Sequence, residues 1–352
     1  MSGENLQSIR TIPTKTELHI QESKSRSEDL NEILCILQRY LAKKHNILPG
    51  LVLAVIGDSE SYVPKPWNTT AFTSGLLQAV QGVKKSWIIY RGNNDGISTL
   101  IYNAFRITTD IQSAKENQIE MTHGNTLIAI KPLTDTYEED DNNGAKPDLL
   151  FTLKPVFEDS QTQTKYRWFN HYLSHFLEKL SAEYTPLLSD ERELVLINMR
   201  VPVLMIAVEG DISSIHQIKS AVKRNIPVLL VKGSGKAVDF IIEYLEESRP
   251  IKKEKVLKEY AHLLLGIYMR SEDYKSLKKR MHSIQKHSHL ITVFDLDNTH
   301  NDRMEDFVVK AIIKGWSLKE VHDSTDDQND KGKSTARTVT MNNVETERRI
   351  SS

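Results

Sequence analysis

Between Val201 and Phe240 the chain reads VPVLMIAVEGDISSIHQIKSAVKRNIPVLLVKGSGKAVDF, two successive copies of one unit. Each copy is a continuous apolar run, a small-residue turn and an amphipathic helix. An apolar run of strand length with no polar alternation is the pattern of a parallel strand covered on both faces. Val201–Val208 is the first such run; Glu209, Gly210 and Asp211 break it. Ile212, Ile215, Ile218 and Val222 then recur at helical spacing until Asn225, Ile226 and Pro227 end the helix. Val228–Val231 begins the second unit, Gly233, Ser234 and Gly235 form its turn, and Val238, Ile241, Ile242 and Leu245 mark its helix. A glycine-bearing turn between a buried strand and a helix start lets the backbone approach a ligand and points free N–H groups at a phosphate. Lys236 adds a full positive charge at the same end.

The same unit recurs upstream. Leu51–Gly57 (LVLAVIG) reads as the first central strand, with Asp58 at its turn, and Thr70–Val83 carries Phe72, Leu76, Leu77 and Val80 at helical spacing. Ser86–Tyr90 is the next strand, followed by a turn from Arg91 to Gly96 and a helix to about Phe105. Thr126–Ile130 and Leu149–Leu153 are further strands. Alternating strands and helices predict an α/β fold with a doubly wound, Rossmann-like parallel sheet. The expected domain plan is a flexible arm over 1–27, the sheet domain over 28–250, a helical extension over 251–318 with one strand packed on it, and a disordered tail over 319–352. A helix opens this domain from Ser27 to about Lys44, Tyr166–Tyr184 is helical in period, and Lys252–Lys286 is helical and basic. His289–Leu296 and Met304–Ile313 read as a last strand and helix.

Charge and apolar content exclude several classes. With 46 basic and 47 acidic residues the formal net charge is −1, so no global field favours nucleic acid. No apolar run approaches the ~18 residues of a spanning helix, and the polar N-terminus does not resemble a signal peptide, so a cytoplasmic chain without direct membrane insertion is expected. The single cysteine, Cys35, lies among Ile33, Leu34, Ile36 and Leu37 and reads as a buried thiol in a reducing compartment.

Three local patterns point to other chemistry, and their context argues against each. Ile291–Thr299 (ITVFDLDNT) matches the first motif of the haloacid dehalogenase-like phosphotransferases, with Asp295 as nucleophile and Asp297 as acid. That fold needs a full α/β domain after this strand, and 53 residues follow Thr299. His171 and His175 are one helical turn apart, but no Glu follows His171 as in the zinc-protease helix and no third ligand is in view. The acidic stretch Glu138–Gly144 lacks the ligand spacing of an EF-hand and reads as a solvated loop. No catalytic residue and no metal site is therefore expected.

Taken in order, LVLAVIGD, KKSWIIYRGNNDGI, VPVLMIAVEGDISSIHQI, PVLLVKGSGKAVDFI and HLITVFDLDNTHNDRMEDFVVKAIIKG resemble successive segments of one family. That family is the N-terminal cytosolic SLOG-type (LSDAT) domain of melastatin-type transient receptor potential (TRPM) cation channels. The likeness covers roughly residues 45 to 316. It implies a SLOG-type Rossmann-like sheet which in some members binds a nucleotide such as ADP-ribose and helps to gate a calcium-permeable channel. Carried over residue by residue, the implied ligand contacts are Gly57, Gly92, Glu209, Gly210, Ser214, Gly233, Ser234, Gly235 and Lys236, with Tyr166 where an adenine-stacking tyrosine would sit. The implied partners are other chains of a TRPM-like channel, as a homo-oligomer and in a channel a tetramer.

The chain departs from the family's pattern at its turns. Gly57-Asp58 stands where Gly-Gly is usual, Tyr90-Arg91-Gly92 replaces Thr-Gly-Gly, and Gly210-Asp211-Ile212-Ser213-Ser214 replaces Gly-Gly-Pro-Gly-Thr. Each lost glycine puts a side chain where backbone would approach pyrophosphate, and Asp58 and Asp211 add negative charge. Lys236 keeps the charge of the usual arginine without its bidentate fork. The departures leave two alternatives open: a degenerate interaction module, served by the basic helices between Lys252 and Lys286, or an enzyme resembling the lysine-decarboxylase-like proteins that cleave nucleoside monophosphates. The latter resemble P-G-G-x-G-T-x-x-E, whose glutamate has no counterpart in SSIHQIKS.

Overall fold

A computed structural model of the chain describes residues 17–20, 49–57, 66–81, 83, 85–91, 96–115, 124–132, 149–153, 173–182, 184–188, 196–265, 271–298 and 303–326. Eight strands form one sheet in which every pairing is parallel: β1 (Glu17–Ile20), β2 (Leu51–Ile56), β3 (Lys85–Arg91), β4 (Gly124–Pro132), β5 (Leu149–Leu153), β8 (Val203–Val208), β9 (Val228–Lys232) and β10 (Ile291–Asp295). β6 (Tyr184–Leu188) and β7 (Leu196–Arg200) make a separate antiparallel hairpin. The sheet order is β1-β5-β4-β3-β2-β8-β9-β10. From β2 the chain winds outward through β3, β4 and β5, then restarts on the other flank of β2 with β8, β9 and β10. This reversal is the doubly wound topology expected of the sequence.

The apolar runs become strands because both faces are covered. On β2, Val52, Ala54 and Ile56 join one core, and Leu51, Leu53 and Val55 join the other. On β8, Val203, Met205 and Ala207 alternate with Leu204, Ile206 and Val208 in the same way. The first core is closed by the helix over 173–182 (α3), by α4 (Ile212–Lys223) and α5 (Lys236–Glu246), by the helical run from α6 (Pro250–Lys255) through a π-helical turn (Val256–Tyr260) to α7 (Ala261–Leu265), and by α8 (Ser271–Lys286). α1 (Pro66–Gln81), α2 (Gly96–Lys115) and α9 (Met304–Asp326) close the second. In α4, Ile215, Ile218 and Val222 are fully buried, which stabilises the fold by about 1.5–3 kcal/mol per side chain.

Several boundaries differ from those read in the sequence. Strand β8 begins at Val203 because the carbonyl of Pro202 accepts the N–H of Val52 at 2.8 Å and places the strand beside β2. Tyr184 opens β6 rather than closing the preceding helix, and α2 continues to Lys115. The last strand, β10, is not confined to the helical region that precedes it: it pairs with β9 in register from Ile291↔Val228 to Asp295↔Lys232. Helix α9 packs on α1 at Gly75, where an added Cβ would lie 2.7 Å from the Cβ of Met304. Cys35, His171, the Glu138–Gly144 stretch and the helix expected from Ser27 lie outside the described residues.

Candidate ligand cradle at the switch point

The reversal of winding between β2 and β8 opens the position where doubly wound sheets take ligands, outside the C-terminal ends of the strands. Gly57 follows β2, and Glu209 and Gly210 follow β8. Gly57 has φ +147°, and a Cβ there would lie 2.9 Å from the carbonyl carbon of Val208 and 2.6 Å from Ile97 Cδ1. Its missing side chain is thus filled by the neighbouring strand and by α2. Gly210 has φ +78°, and its Cβ would lie 2.5 Å from Ser214 Cβ. Asp211 caps α4, accepting the N–H groups of Ser213 at 2.7 Å and Ser214 at 3.1 Å, while Ser214 Oγ accepts the N–H of Asp211 at 3.3 Å. This reciprocal capping box explains why an aspartate stands at this turn.

The turns after β8 and β9 are joined to each other. The N–H of Glu209 donates to Ser234 Oγ at 2.8 Å, and that hydroxyl donates to the carbonyl of Val231 at 2.6 Å. In return the N–H groups of Val238 and Ala237 donate to the carbonyls of Glu209 and Gly210, at 3.0 and 3.3 Å. Glu209 is buried, and its Oε1 lies 2.9 Å from Lys236 Nζ. Both ion-paired residues hold left-handed backbone, with φ of 54° at Glu209 and 40° at Lys236. Such conformations cost non-glycine residues about 1–3 kcal/mol each and persist only where the surroundings enforce them.

The second turn is occupied from within. The carboxylate of Asp239, one helical turn into α5, accepts the N–H of Gly233 at 2.9 Å through Oδ1 and that of Gly235 at 3.0 Å through Oδ2. These are the donors that a phosphate would use at a glycine turn leading into a helix. Burial pushes the Asp239 carboxyl above the ordinary carboxylate range, and Asp295 adds to the rise; the two glycine N–H groups and Lys232 oppose it. Lys232 in turn lies 3.6 Å from Glu246 and 3.7 Å from Asp295. Asp297 donates its N–H to Asp295 Oδ1 at 3.0 Å, and its carboxylate lies against Gly233. The two aspartates of the dehalogenase-like motif therefore close the turn after β10 and flank the cradle. Among the described residues no cluster of three or more His, Cys, Asp or Glu side chains is placed to hold a metal ion.

The structure brings Gly57, Glu209, Gly210, Ser214, Gly233, Ser234, Gly235 and Lys236 together at the ends of β2, β8 and β9. Gly92 and Tyr166 lie outside the described residues. Asp239 did not stand out in the sequence; its signal is a carboxylate four residues after the second glycine of Gly233-Ser234-Gly235, one turn into the helix. His175 belongs to a different cluster, where its Nε2 lies 2.7 Å from Arg224 Nη2 and its Nδ1 3.4 Å from Glu178.

An all-parallel, doubly wound sheet with paired glycine turns at its switch point defines a Rossmann-like α/β domain of the SLOG type. Residues 23–286, well over half of the chain, match the family described as SLOG in TRPM, and the chain belongs to that family. It is 21% identical over 292 residues to the human transient receptor potential cation channel subfamily M member 5, an alignment covering 78% of this chain and 24% of that channel. It is 23% identical over 293 residues to the rat member 4, covering 77% and 23%, and 25% identical over 325 residues to the mouse member 6, covering 88% and 15%. The chain thus spans about a quarter or less of the length of these curated relatives. Among the described residues no helix is long and apolar enough to cross a membrane.

Proposed function

We propose that this chain serves as the cytoplasmic SLOG module of a TRPM-like cation channel, contributing to assembly with other copies, with its switch-point cradle held closed by its own carboxylates. The observation that carries this reading is the bidentate acceptance of the Gly233 and Gly235 N–H groups by Asp239, beside the Glu209–Lys236 pair. A phosphate entering this turn must displace a carboxylate that already holds both donors, at a cost of about 1–3 kcal/mol, or roughly 10–100-fold in affinity. It must also approach two acidic side chains, which adds repulsion. The cradle then acts as a rigid joint between β8, β9 and their helices, and binding of ADP-ribose or a related nucleotide is not part of its work.

Calorimetric titration of the chain with ADP-ribose, cyclic ADP-ribose and AMP tests this. No saturable heat is expected from any of them. Saturable binding that Lys236→Ala removes would establish the cradle as a nucleotide site and overturn the reading. Release of a free base from a nucleoside monophosphate would favour the lysine-decarboxylase-like alternative instead.

A further inference from the structure

Away from the cradle, one carboxylate ties α6 to α8. Glu254 accepts the hydroxyl of Tyr274 and the ammonium of Lys278, the latter at 2.9 Å, and Lys258 in the π-helical turn lies 4.0 Å from it. The Lys258 ammonium also stands 5.9 Å from the centre of the Tyr274 ring, and that of Lys253 stands 5.1 Å from the ring of Tyr244 in α5. The joint is superficial: Tyr274 and Glu254 are half-buried, and Lys258 and Lys278 are exposed. Beneath it Val256 and Leu257 of the π-helical turn and Leu277, Met281 and Ile284 of α8 are buried in the first core. The Tyr274 hydroxyl and then Lys278 hold the Glu254 carboxyl below the usual carboxylate range. Burial, and after it Glu254, pushes the Tyr274 hydroxyl above its usual range. At neutral pH, then, Tyr274 is the donor and Glu254 the charged acceptor.

The sequence around this hydroxyl is distinctive. Of the twelve tyrosines, Tyr274 alone follows directly on two acidic residues, Glu272 and Asp273. Both acids are exposed and lie in the first turn of α8, and helix ends are the parts that open most readily. An exposed pair of negative charges beside a hydroxyl is the pattern that an enzyme with a basic substrate groove selects.

We propose that Tyr274 is a phosphorylation site for a protein tyrosine kinase with a basic substrate groove, and that its phosphate unfastens the first turn of α8 from α6. In this step Tyr274 Oη forms a bond to the γ-phosphorus of a nucleoside triphosphate, and the bond from that phosphorus to the β–γ bridging oxygen breaks. The hydroxyl proton passes to the catalytic carboxylate of the kinase, and a nucleoside diphosphate leaves. The hydroxyl must first release Glu254, so opening of the first turn precedes transfer. Afterwards Tyr274 has no proton to donate and carries about −1.5 to −2 charges beside Glu254. The two anions repel, and the phosphate takes Lys258 and Lys278 from the carboxylate through charge-assisted hydrogen bonds. The buried side chains of α8 stay in the core, which confines the change to the outer edge of the joint. The site is separate from the switch-point cradle and does not depend on how that cradle is read.

The test is incubation of the 352-residue chain with ATP, magnesium and a tyrosine kinase domain selective for acidic residues before the tyrosine. Mass spectrometry maps the phosphate, and hydrogen exchange follows the helices. Phosphate is expected at Tyr274 roughly tenfold faster than at Tyr244, which is buried, and Tyr274→Phe should remove the signal. Glu254→Ala, at a half-buried position, takes away the acceptor that holds the hydroxyl and should raise the rate at Tyr274 by roughly threefold or more. On phosphorylation, amide exchange in α6 and in the first turns of α8 should quicken by roughly tenfold. Absence of phosphate from Tyr274 in the folded chain overturns the site. A rate that Glu254→Ala leaves unchanged, or exchange that phosphorylation leaves unchanged, overturns its coupling to the α6–α8 joint.

Discussion

Replacing Asp239 by alanine removes a carboxylate that accepts two N–H groups, at 2.9 and 3.0 Å, in the turn before α5. Hydrogen bonds to a charged acceptor are worth about 1.5–3 kcal/mol each. Two effects reduce the loss. Gly233 and Gly235 are only half-buried, so water can reach their N–H groups once the carboxylate has gone. Burial also disfavours the Asp239 charge, as the upward displacement of its titration shows. The net loss is therefore placed at about 1–2 kcal/mol, a fall in Tm of roughly 3–6 °C for a domain of this size. The substitution also opens an anion cradle with two free donors at the N-terminus of an eleven-residue helix. Inorganic pyrophosphate at 100 times its dissociation constant would restore about 2.7 kcal/mol, more than the loss. Thermal unfolding by circular dichroism, with and without pyrophosphate, measures both effects. Pyrophosphate is expected to raise the Tm of the variant and leave that of the parent unchanged. Equal stabilisation of the two proteins would show that Asp239 does not occupy the cradle and would refute the reasoning.

Three further outcomes follow from the same geometry. Gly57→Ala forces a Cβ into the Val208 carbonyl at φ +147°, and should cost about 2–5 kcal/mol by denaturant unfolding; a loss below ~0.5 kcal/mol would refute the close packing of β2 on β8. Lys236→Ala removes one arm of the buried Glu209 pair and, with Lys236 about a third exposed, should cost about 1–3 kcal/mol, whereas Lys236→Arg should keep most of the stability. For pH, the folded Asp239 carboxyl titrates above its ordinary value of 3.8. Its contribution is then fully present below that value and is lost as pH rises through the folded value. Parent stability relative to Asp239→Asn should therefore fall as pH rises through this window, and a difference that rises with pH would contradict the burial.

The strands at the centre of the sheet were legible because burial on both faces writes itself as an unbroken apolar run, as in Leu51–Ile56, Val203–Val208 and Val228–Lys232. The β6–β7 hairpin was not, since Thr185, Pro186 and Asn198 interrupt any strand alternation and the first strand abuts a helix. The place of β10 was equally hidden: a pairing such as Val293↔Leu230 joins residues far apart in sequence, and neither strand's pattern names its neighbour. At the site, glycine spacing and Lys236 located the turns correctly on the strand ends. What spacing did not reveal was how the groups are satisfied. A Gly-Ser-Gly-Lys turn reads the same whether its N–H groups face a ligand or a carboxylate from the next helical turn, and Glu209 and Lys236 meet only because β8 and β9 are adjacent in the sheet.

Asp239 holds the Gly233 and Gly235 N–H groups, and the amide resonances of the two glycines report this directly. During titration of the parent with ADP-ribose both resonances are predicted to stay in place, while in Asp239→Ala they should shift on addition of pyrophosphate. Saturable displacement of the two resonances by ADP-ribose in the parent would contradict the account.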